Sequence, residues 1–536
     1  TVLSSGATNK ADDMKASFSN YGQYSVHVYA PGVSIYVPYP GGYARIDGTS
    51  FSSPMVAGLA GLVKTKFPSM TNDDIRNRIL LTSNNIDYAN PQFAGKLGAG
   101  RINAFQAVDP DFPVLKVVEL DIDDSGGNSV VNPGEIVNFG VWVKSYYTDI
   151  SGAGATISES DDYVTLNTAT APINGLLSGD SVRLSFQFET TAGIPDGHEI
   201  KFVLTTVAGA YTVKDYFSVT AYGDFLTHDT GVLQTSITTQ GNIGYTGFGG
   251  GQSAGTGFVY NGQDYLYEAG IMIGTGLGTI SDCIRGTNPA EQDDDFRTAK
   301  GEILSIYSPG NRTFQQGAVR LVDSSALSPI GLSIRQESFA DTLTGFKDFI
   351  IFKYTITNLR STSISNLHVG MFADWNINSG NKDFASYDSV NIMGVVKNLP
   401  TGGSRIVAVK LLSQNSSVSY RTINNSIELA DGFNILEKWN FLTGGIQTTE
   451  LGGKDVSVLI SEGPFQVMPD SAITVGFALI AAQSDANLLI SAQNAQLFWD
   501  DVISDIDKTN KPHNANDFQL SQNYPNPFNP ATTIEF

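Results

Sequence analysis

The residues best suited to do chemistry lie in one short run, Gly48-Thr49-Ser50-Phe51-Ser52-Ser53-Pro54-Met55-Val56-Ala57-Gly58-Leu59-Ala60-Gly61. A hydroxyl pair and a Ser-rich turn lead into an apolar stretch interrupted only by glycines, which predicts a helix beginning near Ser50. At a helix N-terminus, free backbone N–H groups and the positive end of the macrodipole favour developing negative charge. A serine oxygen there is suited to attack a carbonyl, because the oxyanion that forms is met by those N–H groups. The same position suits a serine that does no more than cap the helix. Pro54 is expected to be tolerated because the first helical turn has no use for the N–H it lacks. Gly58 and Gly61, three apart on one face, predict close approach to a neighbouring backbone.

This run resembles the serine-nucleophile motif of the subtilisin-like peptidases, G-T-S-x-x-S-P-x-V-A-G, at every fixed position. The resemblance implies that Ser50 is the nucleophile and that its own N–H is one oxyanion donor. Three further stretches fall in the family's order: Ser17-Phe18-Ser19-Asn20-Tyr21-Gly22, Ala30-Pro31-Gly32-Val33-Ser34-Ile35, and Gly98-Ala99-Gly100-Arg101-Ile102-Asn103-Ala104. Residues 1–109 resemble roughly the last third of a catalytic domain of ordinary size. In this family the triad runs Asp, His, Ser, and the oxyanion-hole Asn also precedes the serine. The resemblance therefore implies that all three lie upstream of Thr1, in a longer precursor. Only His27 precedes Ser50 here, and it reads as a partly exposed strand histidine rather than a base. Asp47 is too near Ser50 to orient a histidine and reads as a loop residue. A serine without a base is a weak nucleophile at neutral pH. The chain as written is expected to be inactive, and its parent to cleave peptides through a Ser50 acyl-enzyme. Phe51 stands where many relatives carry Met, and Met55 where they often carry His.

The elements that must position Ser50 read as a partial α/β unit, a parallel sheet with helices. Strands are expected at the opening Thr1–Thr8 and over Val26–Ile35, and the Ser50 helix is expected to run to about Phe67. Thr71 opens a second helix with Asp74 as its capping-box partner, and Ile75, Ile79 and Leu80 supply the apolar face. A short helix to Val108 closes the unit. Asp109-Pro110-Asp111-Phe112-Pro113 breaks the pattern and reads as a linker.

Beyond it the chain is expected to be all-β. In residues 110–222, Val182, Leu184, Phe186 and Phe188 alternate with polar residues, as do Val137, Phe139, Val141 and Val143. Short strands between Pro/Gly turns fit an Ig-like sandwich. Residues 223–507 read as one or two further β-rich lobes, with Ile350, Phe352, Tyr354 and Ile356 on one face of a strand over Phe346–Thr357. A helix capped by Ser484 carries Leu488, Ala492, Ala495, Trp499 and Val502. Two oxygen-rich loops, Asp121–Asn128 and Asp374–Asn381, are compatible with structural calcium or with ordinary acidic turns. No cofactor is required by this reading.

In residues 508–536 a polar linker precedes Phe518-Gln519-Leu520-Ser521-Gln522-Asn523-Tyr524-Pro525-Asn526-Pro527-Phe528-Asn529-Pro530-Ala531-Thr532-Thr533-Ile534-Glu535-Phe536. That string resembles the opening of the C-terminal sorting domain of type IX secretion cargo. The resemblance implies export across the outer membrane of a Gram-negative bacterium, with the secretion machinery as a partner, and release or attachment at the surface. The balance of 53 acidic against 32 basic residues, a net charge of −21, excludes a phosphate-binding basic face and argues against nucleic acid. The apolar runs fall short of the roughly 20 residues of a spanning helix. Cys283 is the single cysteine, so no intrachain disulfide forms, and a buried small apolar role is expected. Two functions fit: a secreted or cell-surface subtilisin-like endopeptidase acting on proteins or peptides, and a surface-displayed binding or adhesion protein with a degenerate peptidase remnant.

Overall fold

A computed structural model describes residues 2–503 apart from 10, 23–24, 250–252, 378–381 and 402–403. The sorting-domain resemblance and its linker lie outside the described residues, as does part of the loop Asp374–Asn381. The chain divides into two compact units, Thr1–Gly223 and Asp224–Phe536.

The first unit opens with a two-stranded parallel sheet, β1 (Ser5–Thr8) beside β2 (Val28–Pro31), in the register Ser5↔Val28 to Thr8↔Pro31. A hairpin follows, β3 (Ile35–Tyr39) with β4 (Gly42–Ile46). Then come α1 (Thr49–Lys66), α2 (Asn72–Leu81) and the short α3 (Ala104–Val108). The expected cap of α2 is present: Thr71 Oγ1 accepts from Asp74 N–H at 3.2 Å, and the Asp74 carboxylate accepts from Thr71 N–H at 2.9 Å. Val28 and Ala30 of β2 pack against Val56, Leu59 and Val63 of α1 and Ile75 and Ile79 of α2. Parallel sheets are normally covered on both faces, and this pair buries β2 deeply beneath the helices.

Gly58 and Gly61 do not approach a backbone. Both are exposed, and a Cβ on either would meet nothing within 4 Å. The apolar contacts of α1 run instead through Val56, Leu59 and Val63, and the glycines lie on the opposite side, near exposed Leu62.

After the linker, eight strands form two four-stranded sheets. The first has the order β5 (Val114–Asp124), β6 (Ile136–Tyr146), β10 (Ser181–Thr190), β8 (Val164–Thr168). The second has β12 (Tyr211–Ala221), β11 (His198–Ala208), β7 (Ala153–Ser158), β9 (Thr170–Ile173). All pairings are antiparallel. Phe139 and Phe188 from one sheet and Phe202 and Phe217 from the other form an aromatic core, with centroids 5.4 to 5.8 Å apart. The expected alternation is present at Leu184, Phe186 and Phe188.

The second unit is a larger two-sheet assembly, with sheets of 11 and 10 strands among the described residues. Ile271, Ile273, Met371 and Ile460 of one sheet share a core with Ile334, Phe352, Tyr354 and Phe477 of the other. Helix Asp485–Phe498 covers the outer face of the second sheet through Leu488, Ala492 and Ala495, with Trp499 just beyond it. Ser484 caps it by accepting from Asn487 N–H at 3.2 Å. Trp499–Ile503 continues as a π-helical turn. The strand Phe349–Asn358 is therefore buried on both faces, which places even Lys353 inside.

Candidate active site

The start of α1 is fastened to the end of β2. Gly32 N–H donates to Thr8 C=O at 2.9 Å, and Gly48 N–H donates to Gly32 C=O at 2.8 Å. Ser52, fully buried, donates from Oγ to Ala30 C=O at 2.9 Å and to Pro31 C=O at 3.2 Å. The approach is close because position 32 has no side chain. A Cβ there would lie 2.6 Å from Ala7 Cβ, 2.6 Å from Ser52 Oγ and 2.9 Å from Gly48 O. In the loop before the helix, Asp47 accepts from Ser34 N–H at 2.6 Å. The hairpin leading there is stiffened by Tyr36 stacked on Tyr43 at 5.1 Å, with the Arg45 guanidinium 5.6 Å from the Tyr36 ring.

Gly48 is the N-cap and Thr49 the first helical residue, so Ser50 is the second helical residue and does not cap the helix. Its side chain is exposed, and its amide is among the first N–H groups, which have no intrahelical acceptor. The first turn holds no acidic residue, while Lys64 and Lys66 occupy the last turn. The positive end of the dipole is thus left uncompensated at Ser50 and the negative end is balanced. Pro54 lies deeper than expected. As the sixth residue of α1 it is past the first turn, and its missing N–H is the one the Ser50 carbonyl would otherwise receive.

His27 does not serve Ser50. Its Nδ1 accepts from Ser4 N–H at 3.1 Å and lies 2.7 Å from Ser4 Oγ; it is partly exposed, as expected, but it immediately precedes β2 instead of lying within the strand. Asp13 is likewise engaged, with Arg101 and with the Tyr88 hydroxyl at 2.8 Å. Among the described residues, Ser50 Oγ has no hydrogen-bond partner. The sequence reading missed Ser52, Gly32 and Arg78, all of them buried or tightly packed supports. Arg78, 1% exposed, donates from Nε to Ala107 C=O and from Nη2 to Asp109 C=O, both at 2.6 Å. Burial pulls its guanidinium below the usual arginine range. Its type gave no warning, since arginine is rarely buried without such partners.

Three carboxylates of the oxygen-rich loops, Asp121, Asp124 and Asp374, accept from protein donors. In the first, Asp121 accepts from Arg183 Nε at 2.7 Å and from Trp142 Nε1 at 3.1 Å, and the Arg183 bonds hold its carboxyl below the usual carboxylate range. Asp124 accepts from Asn128 N–H at 3.1 Å and from Val130 N–H at 3.0 Å. In the second, Asp374 is a buried strand residue, with Arg285 Nη2 at 3.0 Å and Asn425 Nδ2 at 2.8 Å. Burial pushes its carboxyl up to about 8. A third acidic group, Asp282, Asp293 and Asp295, already holds a cation. Lys438 Nζ lies 2.8 Å from both Asp282 oxygens and 2.7 Å from Asp293 Oδ2. Burial raises Asp282 to about 6 and Asp295 to about 7. Cys283 is buried, as expected.

Comparison with known proteins places the Ser50 region in context. The sequence profile of the Subtilase family matches residues 1–100. Subtilisin BL of Lederbergia lenta is 41% identical over 104 residues, which cover 19% of this chain and 36% of that one. The M-protease of Shouchella clausii is also 41% identical over 104 residues, covering 19% of this chain and 26% of its own. Among solved structures, the serine protease MycP1, an essential component of the type VII (ESX-1) secretion system, aligns at 26% identity with a TM-score of 0.17, covering 20% of this chain and 31% of that one. The chain thus spans between 26% and 36% of the length of these curated relatives. Residues 1–100 are a subtilase (peptidase S8) segment, the mark of a serine-peptidase family at the N-terminal end of this chain.

Proposed function

We propose that this chain is the nucleophile-bearing part of a secreted or cell-surface subtilisin-like serine endopeptidase that acts on proteins or peptides. The observation that carries this reading is the placement of Ser50: exposed, second in α1, at an uncompensated helix N-terminus fastened to β2 through Ser52 and Gly32. In the reaction Ser50 Oγ attacks the scissile carbonyl, its own N–H helps bind the oxyanion, and the acyl-enzyme is hydrolysed. The base is a histidine and its orienter an aspartate, both N-terminal to Thr1, since His27 is engaged with Ser4. A groove of about 490 Å³ between α1 and α2, lined by Leu3, Val56, Ala57, Ala60 and Ile75, accommodates further elements of that domain.

Residues 110–222 form an Ig-like sandwich and 223–507 accessory β structure for spacing and surface contact. The string Phe518–Phe536 begins a type IX sorting domain that directs export from a Gram-negative bacterium. Structural calcium is an accessory to this reading and not part of its chemistry.

The test is fluorophosphonate labelling of the parent chain, which includes the residues N-terminal to Thr1. Labelling is expected in the parent, absent from residues 1–536 alone, and lost in Ser50→Ala. An upstream sequence lacking Asp-Ser/Thr-Gly or His-Gly-Thr-His, or label that survives Ser50→Ala, overturns the reading. A second reading, a surface-displayed binding or adhesion protein with a degenerate peptidase remnant, rests on the β structure that follows the first 109 residues. That reading gains if the upstream histidine or aspartate is missing.

A further inference from the structure

We propose that the Asp109–Pro110 peptide bond is a built self-cleavage site, at which the Asp109 carboxylate severs the chain between the subtilase segment and the β-sandwich in mild acid. This is the chain's one Asp-Pro dipeptide. An aspartyl–prolyl bond is intrinsically weak in acid, because the carboxylate reaches its own carbonyl carbon and the tertiary proline nitrogen is a comparatively basic leaving group.

The fold adds two things to that chemistry. The first is a pair of donors on the oxygen that would become an oxyanion. Arg78 Nη2 donates to Asp109 C=O at 2.6 Å, and Phe112 N–H reaches the same oxygen at 3.4 Å. The guanidinium is locked in place, bound through Nε to Ala107 C=O at 2.6 Å and lying 4.4 Å from the Phe67 ring. A preorganised charged donor in a buried setting is what stabilises tetrahedral oxyanions in enzymes.

The second is the position of the nucleophile. Asp109 Oδ1 accepts from Asp111 N–H at 3.0 Å, and Oδ2 accepts from the Tyr211 hydroxyl at 3.0 Å. The bond to Asp111 closes a turn across Pro110 and, with the Tyr211 bond, restricts the rotation of a carboxylate that is already joined through two carbons to the carbonyl it would attack. Pro110 and Asp111 are exposed, so water and acid reach the leaving nitrogen.

In the step, an Asp109 carboxylate oxygen bonds to the Asp109 carbonyl carbon. The bond from that carbon to Pro110 N breaks, and Pro110 N takes a proton from hydronium or a buffer acid. The five-membered anhydride left at Asp109 is opened by water, which gives a free α-carboxylate at Asp109 and a new N-terminal Pro110. One water is consumed and nothing is oxidised or reduced. Capping of α3 explains why Arg78 binds the carbonyls at its end. Self-cleavage adds a consequence that capping lacks, a bond weaker in the folded chain than in the unfolded one.

The full 536-residue chain is incubated at about pH 4.5, folded by circular dichroism, and in parallel in urea at the same pH. Intact mass and N-terminal sequencing report fragments 1–109 and 110–536. Cleavage in the folded chain is expected to be at least about tenfold faster than in urea, given what one oxyanion donor contributes. Asp109→Asn is expected to abolish it, and Arg78→Lys, which keeps the charge and loses the planar fork, to bring it down to the urea rate. The wild-type comparison does not depend on any variant folding. A folded rate equal to or below the urea rate overturns the proposal, and so does cleavage that persists in Asp109→Asn.

Discussion

Gly32→Ala tests whether the helix that carries Ser50 is held as the geometry implies. Position 32 is not in a left-handed conformation, so an alanine costs nothing in backbone strain and its effect is steric. The new Cβ would meet Ala7 Cβ and Ser52 Oγ at 2.6 Å and Gly48 O at 2.9 Å, and two of those three are backbone or a Cβ fixed to it. Such overpacking costs about 1–3 kcal/mol. Displacing Ser52 would weaken its bonds to Ala30 and Pro31, worth about 1 kcal/mol more. The expected loss is about 2–4 kcal/mol, local to β1, β2 and the first turns of α1. Hydrogen exchange of peptides from residues 26–66 reads it as an increase of about 30-fold to 900-fold, with the sandwich peptides unchanged. Ser52→Ala alone should cost about 1–2 kcal/mol, because the buried Ala30 carbonyl and the half-buried Pro31 carbonyl lose their shared donor. In the double variant the clash with Ser52 Oγ is gone, so the total should fall about 1 kcal/mol short of the sum. An additive double variant, or a Gly32→Ala effect spread over the sandwich, refutes the idea that this contact fastens Ser50 in place.

Other consequences follow from the buried charges of the second unit. Asp282, Asp295 and Asp374 have folded-state values raised to about 6, 7 and 8. The folded state therefore binds protons that the unfolded chain has released, and stability falls as pH rises through those values. Between about pH 6.5 and 8.5 the loss should be about 2–3 kcal/mol, with Asp374 the largest contributor, read as a falling urea midpoint. His228, lowered to about 4 by burial, acts in the opposite sense, raising stability as pH climbs from about 4 through its unfolded value near 6.5, so most of its effect lies below that window. A midpoint that is flat or rising there contradicts the buried-acid picture. Lys438→Met should cost about 3–5 kcal/mol, because it strands Asp282 and Asp293 without their ammonium. That cost should shrink at about pH 5, where Asp282, raised to about 6 by burial, takes up its proton. A loss below about 1 kcal/mol at pH 8 would mean that Lys438 does not neutralise the cluster.

What the sequence made legible is what depends on near neighbours. Ser50 at a helix N-terminus, the Thr71–Asp74 cap, the Ser484 cap and the alternation at Leu184–Phe188 all follow from residues within a few positions of one another. What was not legible depends on distant partners. The spacing after Asp374 fits a calcium loop or an acidic turn alike, and its carboxylate is bonded to Arg285, 89 positions away. Lys438 finds Asp282 across 156 positions. Gly58 and Gly61 looked like packing glycines because their spacing is right, yet they lie away from the residues of α1 that pack on β2.

The same division runs through the candidate site. The Ser50 motif could be read directly as a helix start, but the groups that hold it in place could not. Ser52 sits in a run of serines and resembles a surface residue, whereas it is fully buried because two carbonyls of β2 lie within reach. Gly32 looks like half of a Pro-Gly turn, and its lack of a side chain is needed by Ala7, 25 positions earlier, and by Ser52, 20 positions later. A reactive serine at a helix N-terminus is a common arrangement, and what would make it useful is how little it can move. That constraint is written in contacts between β1, β2 and α1, so it becomes visible only when those elements are in place. This is why Gly32→Ala, 18 positions before Ser50 in sequence, is the sharper probe of the site than any change within the motif itself.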